Sequence, residues 1–119
     1  MWTWDQSAGR LTRDGKFVAT GYSGAGIGRN NPDLEHRVAT GPIPCGRWRI
    51  FPPRNSKNVG PYGMDLRPVG HDAHGRSAFM IHGDSARKPG QASKGCIILP
   101  RNVRELIWGS GDHDLMVVA

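Results

Sequence analysis

The chain has 119 residues, of which 37% are hydrophobic and 22% are charged. This composition is typical of a folded globular protein and excludes a disordered tail. At this length we expect one domain that spans residues 1–119. The formal charge of +6 favours an anionic partner, either nucleic acid or a polymer or peptide that carries carboxylates. No apolar run approaches the roughly 18 residues that cross a bilayer, so we expect no membrane insertion.

The cysteines and the first residues bear on where the protein works. Two cysteines, Cys45 and Cys96, are too few for a disulfide framework. The opening MWTWDQSAGRLT has no basic region followed by an apolar one, so it does not predict a secretory signal. We therefore expect a protein that is made in the cytoplasm and carries two free thiols.

The first part of the chain predicts short strands and a glycine-rich loop. Trp2 and Trp4 alternate with polar residues, and Asp-Gly between residues 11–13 and 16–20 is a strong hairpin signal. Residues 21–32, GYSGAGIGRNNP, are rich in glycine. Because Asn-Asn-Pro follows instead of a helix start, we interpret this segment as a loop over a groove and not as a phosphate-binding loop.

The remainder predicts five strands and one helix. Residues 46–51 read as a half-buried strand, and further strands are expected at 64–69, 78–82, 95–99 and 115–118. Pro100 marks the start of the helix and Gly109 its end. The predicted apolar face of this helix consists of Val103, Leu106 and Ile107. The predicted fold is therefore mainly β, a small sandwich or barrel with one short helix.

The most specific chemical signal lies between Ile81 and Ile97. A thiolate nucleophile needs a base within hydrogen-bond reach and backbone N–H groups for an oxyanion. Cys96 follows Gly95, whose missing side chain leaves room for a substrate carbonyl near those N–H groups. His82 ends the preceding strand, and a loop of about a dozen residues can return Cys96 beside it. The pattern alone leaves open a buried cysteine and a locally satisfied histidine.

Two polar residues of the same segment have expected supporting roles. Asp84 stands two residues after His82, a spacing that in a strand places both on one face and lets the carboxylate orient the imidazole. A turn-forming aspartate is the alternative. Ser93 is expected to cap the loop that carries the nucleophile.

The pattern I-H-G … S-x-G-C-I-x-L resembles the L,D-transpeptidase catalytic domain, the YkuD-like fold of cell-wall enzymes. Residues 40–48, TGPIPCGRW, resemble the T-P-x-G stretch of that family, and residues 61–64, PYGM, resemble its aromatic segment before the catalytic histidine. The resemblance implies Cys96 as nucleophile and His82 as base. It also implies acyl transfer on peptide stems of peptidoglycan, with N–H groups around Gly95 and Cys96 stabilising the oxyanion and with no metal or organic cofactor.

Two positions depart from the family pattern. Lys94 replaces the histidine of the S-H-G-C signature, and Ile98 stands where relatives place arginine or asparagine. The usual contact to a substrate carboxylate must therefore come from elsewhere. Tyr62 is expected to help form the substrate groove, and nearby basic residues are expected to bind the carboxylate: Arg87, Lys88, Lys94 and Arg101.

The short length, the opening Trp2-Thr3-Trp4 and the missing signal resemble one branch of the family, the toxic effectors that type VI secretion delivers into rival bacteria. This branch implies L,D-carboxypeptidase activity or D-amino-acid exchange on tetrapeptide stems in the periplasm of a target cell. The implied partners are the stems, the secretion machinery and an immunity protein, with no nucleic acid.

Three alternatives remain open on the sequence. Cys45 is a candidate nucleophile of a papain-like wall peptidase or amidase, although such cysteines lie at helix N-termini and Cys45 enters a strand. His71, Asp72, His74 and His82 have the residue types of a zinc site, without an H-E-x-x-H helix. The third alternative is a non-catalytic basic β-domain that binds wall polymers or nucleic acid, although no RNA-binding sheet motif is present.

Overall fold

Nine strands form one mixed sheet in the computed structural model, which describes residues 1–119. The strands are β1 (Trp2–Asp5), β2 (Arg10–Arg13), β3 (Lys16–Thr20), β4 (Tyr22–Ser23), β5 (Gly46–Ser56), β6 (Gly60–Val69), β7 (Met80–His82), β8 (Ile97–Ile98) and β9 (Asp114–Val118). Their order in the sheet is β3-β2-β1-β9-β5-β6-β7-β8-β4. Neighbours are antiparallel except β1 with β9 and β7 with β8. The predicted mainly β class is confirmed, with helix α1 (Arg101–Gly109) after β8.

Three tryptophans anchor the core because the alternation of β1 and β5 turns them inward. Trp2, Trp4 and Trp48 are each at most 1% exposed and belong to a cluster of 17 buried apolar residues. The indole N–H of Trp2 donates to the Asp112 carbonyl, and that of Trp48 donates to the Pro44 carbonyl. Most of the polar cost of burying these large rings is thereby avoided.

The central hairpin of β5 and β6 is longer than predicted. β5 continues through Pro52 and Pro53 to Ser56, and the pairing shifts register between Ile50 and Pro53. Because a proline has no N–H for the ladder, the strand passes this point as an irregularity and does not end there. β6 begins at Gly60 and not at residue 64. The hairpin thus extends beyond the central sheet.

The glycine-rich segment is only partly a loop. Tyr22–Ser23 form β4, which pairs with β8 at the sheet edge, and 3-10 turns follow at Gly26–Gly28 and Pro32–Leu34. A side chain at Gly21 would overlap the carbonyl oxygen of Ile98. Glycine is therefore needed at this position because the backbone of the loop lies directly against the strand that follows Cys96.

The strands around the histidine and cysteine are shorter than predicted. β7 begins at Met80 because Ala78 has a φ of 65°, in the left-handed region that a strand does not use. β8 consists of Ile97 and Ile98 alone. Cys96 therefore lies in the bend before the strand and not inside it.

Helix α1 buries two of the three residues predicted for its apolar face, Val103 and Ile107. Leu106 is 54% exposed, whereas Arg104 is only 6% exposed and lies between Val103 and Ile107 on the inward side. The guanidinium of Arg104 is accommodated because it donates to backbone carbonyls, those of Leu99, Pro61 and Tyr62. No helix of the structure has the length and apolar character needed to cross a membrane.

Candidate active site

A cavity of about 670 Å³ lies where β7 and β8 run side by side. Ile81 is directly opposite Ile97 in the parallel register, which brings the end of β7 close to the bend before β8. His82 and Cys96 both line the cavity. The structure thus brings together the two residues that the sequence selects as base and nucleophile. The other walls come from separate parts of the chain: residues 38–39, 58–59, 75–79, 92 and 94–95.

His82 is a buried histidine whose tautomer follows from its surroundings. It is 3% exposed, and its Nδ1 lies 2.8 Å from the carbonyl oxygen of Gly83. Because a carbonyl only accepts hydrogen bonds, Nδ1 carries the proton and the lone pair of the neutral ring is on Nε2. Burial lowers the pKa of His82; the Arg104 charge adds to this, while the Gly83 carbonyl and Asp84 oppose it. The ring is therefore a neutral base at pH 7.

Cys96 is a half-buried free thiol. Its Sγ lies 3.7 Å from the carbonyl oxygen of Ala78. Burial raises the pKa of Cys96 and the Asp65 carboxylate adds a smaller increase, while the backbone N–H of Met80 and the positive charge of Arg76 act in the opposite direction. A thiol with a raised pKa needs a base to ionise it. His82 is the one histidine that lines the same cavity.

Ser93 fixes the bend that carries Cys96. Its hydroxyl donates to the Cys96 carbonyl at 2.6 Å and accepts from the N–H groups of Gly24 and Gly95 at 2.9 and 3.0 Å. Ser23 holds the same bend from β4, since its hydroxyl donates to the Gly95 carbonyl at 2.7 Å. Both serines are at most 1% exposed. The bend is therefore hydrogen-bonded to the glycine-rich segment. The sequence did not predict that Ser23 contributes to this connection.

Gly95 has a role other than the expected one. Its φ is 142°, and a side chain there would lie 2.6 Å from Nη2 of Arg76 and 2.8 Å from the ring of Phe79. The position that a side chain of Gly95 would take is thus occupied by the protein. The N–H of Gly95 is bonded to Ser93, so it is not a free oxyanion donor. Glycine is needed here for close packing against the guanidinium.

Arg76, which sequence reasoning did not select, lies under this bend. It is 9% exposed, and its guanidinium donates to four backbone carbonyls, which belong to Glu35, Gly41, Pro42 and Lys94. These carbonyls come from two loops that wall the cavity. No local pattern reveals a buried arginine of this kind, because its partners lie far away in the sequence.

Asp84 does not hydrogen-bond to His82, which corrects its expected role as the group that orients the imidazole. Its carboxylate accepts from the Tyr22 hydroxyl at 2.6 Å and from the N–H groups of Ser85 and Gly90. These bonds close the loop between His82 and Cys96. Burial, together with the bond to Asp84, raises the pKa of Tyr22 to about 12. Asp84 is thus the turn-forming aspartate of the alternative interpretation.

The expected carboxylate-binding residues do not gather in one place. Lys94 lines the cavity of Cys96, whereas Arg101 lines a second cavity of about 400 Å³ together with Arg104. The Arg101 guanidinium lies 4.6 Å from the ring centroid of Tyr62, and Tyr62 does not line the first cavity. Arg87 is exposed and lines neither. Lys88 is likewise exposed and lines neither cavity. Of the five residues expected to contact substrate, only Lys94 shares the cavity with Cys96.

Cys45, the alternative nucleophile, lies next to an acid. Its Sγ donates to Oε1 of Gln6 at 3.3 Å, and the Glu35 carboxylate accepts from its backbone N–H. Burial and the carboxylate of Glu35 raise the pKa of Cys45 to about 11. His74, the imidazole bonded to Glu35 at 2.8 Å, is therefore engaged with the acid. Cys45 also lies outside the cavity.

The histidines of the H-D-x-H segment have separate partners. Nε2 of His71 lies 2.9 Å from the Arg47 carbonyl oxygen, Asp72 accepts from the N–H of His74, and His74 bonds to Glu35. His82 lies in the cavity of Cys96. No three side chains among the histidines, cysteines, aspartates and glutamates are grouped in a way that holds a metal ion. The proposed set of zinc ligands is therefore not assembled.

Comparison with known proteins assigns the chain to a family. The family model described as the Tlde1 domain matches residues 18–114. This range includes every residue that lines the cavity and the strands β4 to β8. No individual curated protein matched the chain. Because the family model covers most of the chain, the chain belongs to the Tlde1 domain family of type VI secretion effectors.

Proposed function

We propose that this protein is a cysteine-dependent acyl transferase that acts on the peptide stems of peptidoglycan. The observation that carries the proposal is the presence of the Cys96 thiol and the neutral, buried His82 in one cavity. The resemblance of the I-H-G … S-x-G-C-I-x-L pattern to L,D-transpeptidases supports the choice of substrate. Membership of an effector family supports an antibacterial role.

The first half of the proposed reaction forms a thioester. Nε2 of His82 takes the Sγ proton of Cys96 as the sulfur attacks the carbonyl carbon of the third stem residue. The tetrahedral intermediate collapses, the bond to the terminal D-alanine breaks, and the imidazolium returns its proton to the leaving amine. The products are a thioester on Cys96 and free D-alanine, and His82 is neutral again.

The second half depends on the acceptor. Water attacks the thioester in a carboxypeptidase, a free D-amino acid attacks in an exchange reaction, and the amine of a second stem attacks in a cross-linking reaction. In each case His82 removes a proton from the acceptor and returns it to the Cys96 sulfur as that group leaves. Lys94 is the basic side chain of the cavity that is available for a stem carboxylate.

Purified tetrapeptide muropeptides test this function directly. We expect the protein to release D-alanine and give tripeptides or exchanged stems, as seen by mass spectrometry. Cys96→Ala abolishes the reaction, and the matched control Cys45→Ala retains most of it. Equal loss in both folded variants would move the nucleophile to Cys45. Inhibition by a chelator with rescue by zinc would contradict the mechanism.

Expression in two compartments tests the place of action. We expect the protein to be harmless in the cytoplasm and toxic when a secretory signal directs it to the periplasm, because its substrate lies there. Cells swell or lyse as stem donors are consumed, and Cys96→Ala removes the effect. A producing cell then requires an immunity protein. Toxicity confined to the cytoplasm, or toxicity that persists in Cys96→Ala, would overturn the periplasmic role.

A further inference from the structure

Arg76 is a buried cation without a carboxylate partner. Its two terminal nitrogens make two hydrogen bonds each, Nη1 to the carbonyls of Glu35 and Pro42 and Nη2 to those of Gly41 and Lys94. It takes part in none of the ion pairs of the structure. Burial lowers the pKa of Arg76, but a guanidinium stays charged near neutral pH. Neutral carbonyls accept from its four terminal N–H groups. The charges that favour the Arg76 cation are the Cys96 thiolate and, to a smaller extent, the Glu35 carboxylate, with which it forms no ion pair.

This charge lies against the segment that holds the candidate nucleophile. Nη2 of Arg76 is 3.1 Å from the Lys94 carbonyl oxygen, and the space above the Cα of Gly95 is filled by the same nitrogen. Cys96 is the next residue along the chain, and Arg76 and Cys96 line one cavity. The group in this cavity that becomes negative without any added ligand is the thiolate.

We infer that Arg76 is a positioning residue for Cys96, which fixes the bend over residues 94–96 and supplies the positive charge beside which the thiolate forms. This inference rests on the proposed role of Cys96 as nucleophile. The arrangement resolves a conflict in the site, because burial alone disfavours a charged sulfur. A fixed cation in the low-dielectric surroundings offsets that penalty without requiring a change in the structure when the proton leaves.

The hydrogen bonds of Arg76 distinguish this role from two others. A receptor for a substrate carboxylate would present a free fork of N–H groups, but all four terminal N–H groups are engaged with backbone carbonyls. If Arg76 only supported the local structure, its hydrogen bonds would be required and its positive charge would not. Only a role toward the thiolate makes the titration of Cys96 depend on the charge at this position.

The test measures the rate of iodoacetamide labelling against pH in a Cys45→Ser background, which leaves Cys96 as the single thiol. Arg76→Gln removes the charge, and Arg76→Lys keeps it while losing the fork. We expect Arg76→Gln to raise the apparent pKa of Cys96 by about one unit, which is about a tenfold loss of rate near neutral pH. Arg76→Lys shifts it much less, although thermal unfolding shows similar destabilisation of both.

Equal titration of Cys96 in the parent and in Arg76→Gln, or equal shifts in the Gln and Lys variants, would overturn the inference. Release of D-alanine from stems is measured in parallel. A parent that cleaves stems but shows no effect of the charge refutes the inference and leaves the proposed function intact. A parent that shows the charge effect but cleaves no stem refutes the substrate and leaves the inference intact.

A second pair of variants applies where the Arg76 variants do not fold. Ala78 is exposed, has a φ of 65°, and its carbonyl oxygen lies 3.7 Å from Sγ of Cys96. Aspartate and asparagine both tolerate this backbone conformation. We expect Ala78→Asp to raise the pKa of Cys96 relative to Ala78→Asn, because a charge on this wall of the cavity, which Arg76 also lines, acts on the thiolate. No difference between the two would overturn the electrostatic role.

Discussion

The two cysteines of this protein differ in the charges that surround their thiols. Both are free and half-buried, and burial raises the pKa of each. Cys45 lies beside the carboxylate of Glu35, which raises its pKa further, to about 11. At Cys96 the N–H of Met80 and the Arg76 guanidinium act against burial, and their effects exceed that of the Asp65 carboxylate, which acts with it. The sign of the neighbouring charge separates the two sites.

The bases near the two thiols differ in the same way. His82 keeps a lone pair on Nε2, because its Nδ1 proton is directed to the Gly83 carbonyl. The imidazole nearest to the Cys45 region, that of His74, is bonded to Glu35. A thiol in a fold of this size is therefore reactive or inert according to charges and hydrogen bonds that its own exposure does not reveal.

Labelling of single-thiol proteins gives the largest expected contrast. We expect Cys96 in the Cys45→Ser protein to react with iodoacetamide more than roughly tenfold faster at pH 8 than Cys45 in the Cys96→Ser protein, because a thiol with a pKa of about 11 is only roughly 0.1% ionised at that pH. At Cys96 the Arg76 charge and the Met80 N–H oppose the effect of burial. Adduct formation is followed by intact-protein mass spectrometry. Equal rates would remove the electrostatic distinction between the two sites.

Ser93→Ala sharpens the comparison by loosening the bend at Cys96 alone. Loss of the hydroxyl leaves the buried N–H groups of Gly24 and Gly95 without their acceptor, so we expect Cys96 labelling and stem cleavage to fall roughly tenfold. Labelling of Cys45 stays unchanged. The control is Ser77→Ala, which lines the same cavity and is exposed. Unchanged reactivity in Ser93→Ala would show that the bend does not depend on this serine.

Glu35→Gln is expected to reduce the difference in labelling rate between the two cysteines by acting on Cys45. The carboxylate raises the pKa of Cys45, so its removal lowers that pKa, and we expect Cys45 labelling at pH 8 to increase roughly fivefold. The increase is limited because burial, the larger cause, remains. Rates at Cys96 serve as the internal control. A decrease in Cys45 labelling would contradict the assigned cause.

The pH dependence of stem cleavage tests the proposed base, His82, which lines the cavity of Cys96. The lowered pKa of His82 keeps the ring neutral below pH 6.5, so the acid limb of kcat/KM lies below that value. Arg104→Gln removes a charge that disfavours the imidazolium, which raises the pKa of His82 and moves the limb upward. We expect roughly a twofold loss at pH 6.

The matched control for this pH profile is Arg101→Gln. Arg101 lies on the same helix, but its side chain is half-exposed and stacks on Tyr62. The variant should leave the acid limb in place. An acid limb above pH 6.5 in the parent protein, or a downward shift in Arg104→Gln, would contradict the assigned electrostatics of His82.

Local patterns in the sequence predict the mainly β fold class, and the family resemblance selects His82 and Cys96, whose proximity the pattern alone leaves open. The alternation around Trp2, Trp4 and Trp48 predicts the buried faces of β1 and β5, and the structure places His82 and Cys96 in one cavity. These features depend on residues close to one another in the chain.

The supporting residues depend on distant backbone, which no local pattern reports. Arg76 and Arg104 read as exposed cations, yet each is buried because carbonyls from remote loops accept its hydrogen bonds. The same limit explains the wrong role for Asp84, whose partner Tyr22 lies in the glycine-rich segment. It also explains the wrong prediction for Leu106, because on α1 it is Arg104 that is buried beside Val103 and Ile107.

The position of β9 in the sheet has a consequence for how the protein folds. This last strand lies between β1 and β5 and pairs Trp2 with Leu115 in parallel, so the sheet becomes continuous only when segments separated by most of the chain have met. Such non-local pairing slows folding, and the unpaired edges of β1 and β5 are open to association with other chains until it is complete. A polypeptide cut before β9 would keep every residue of the cavity and still lack a continuous sheet to hold them.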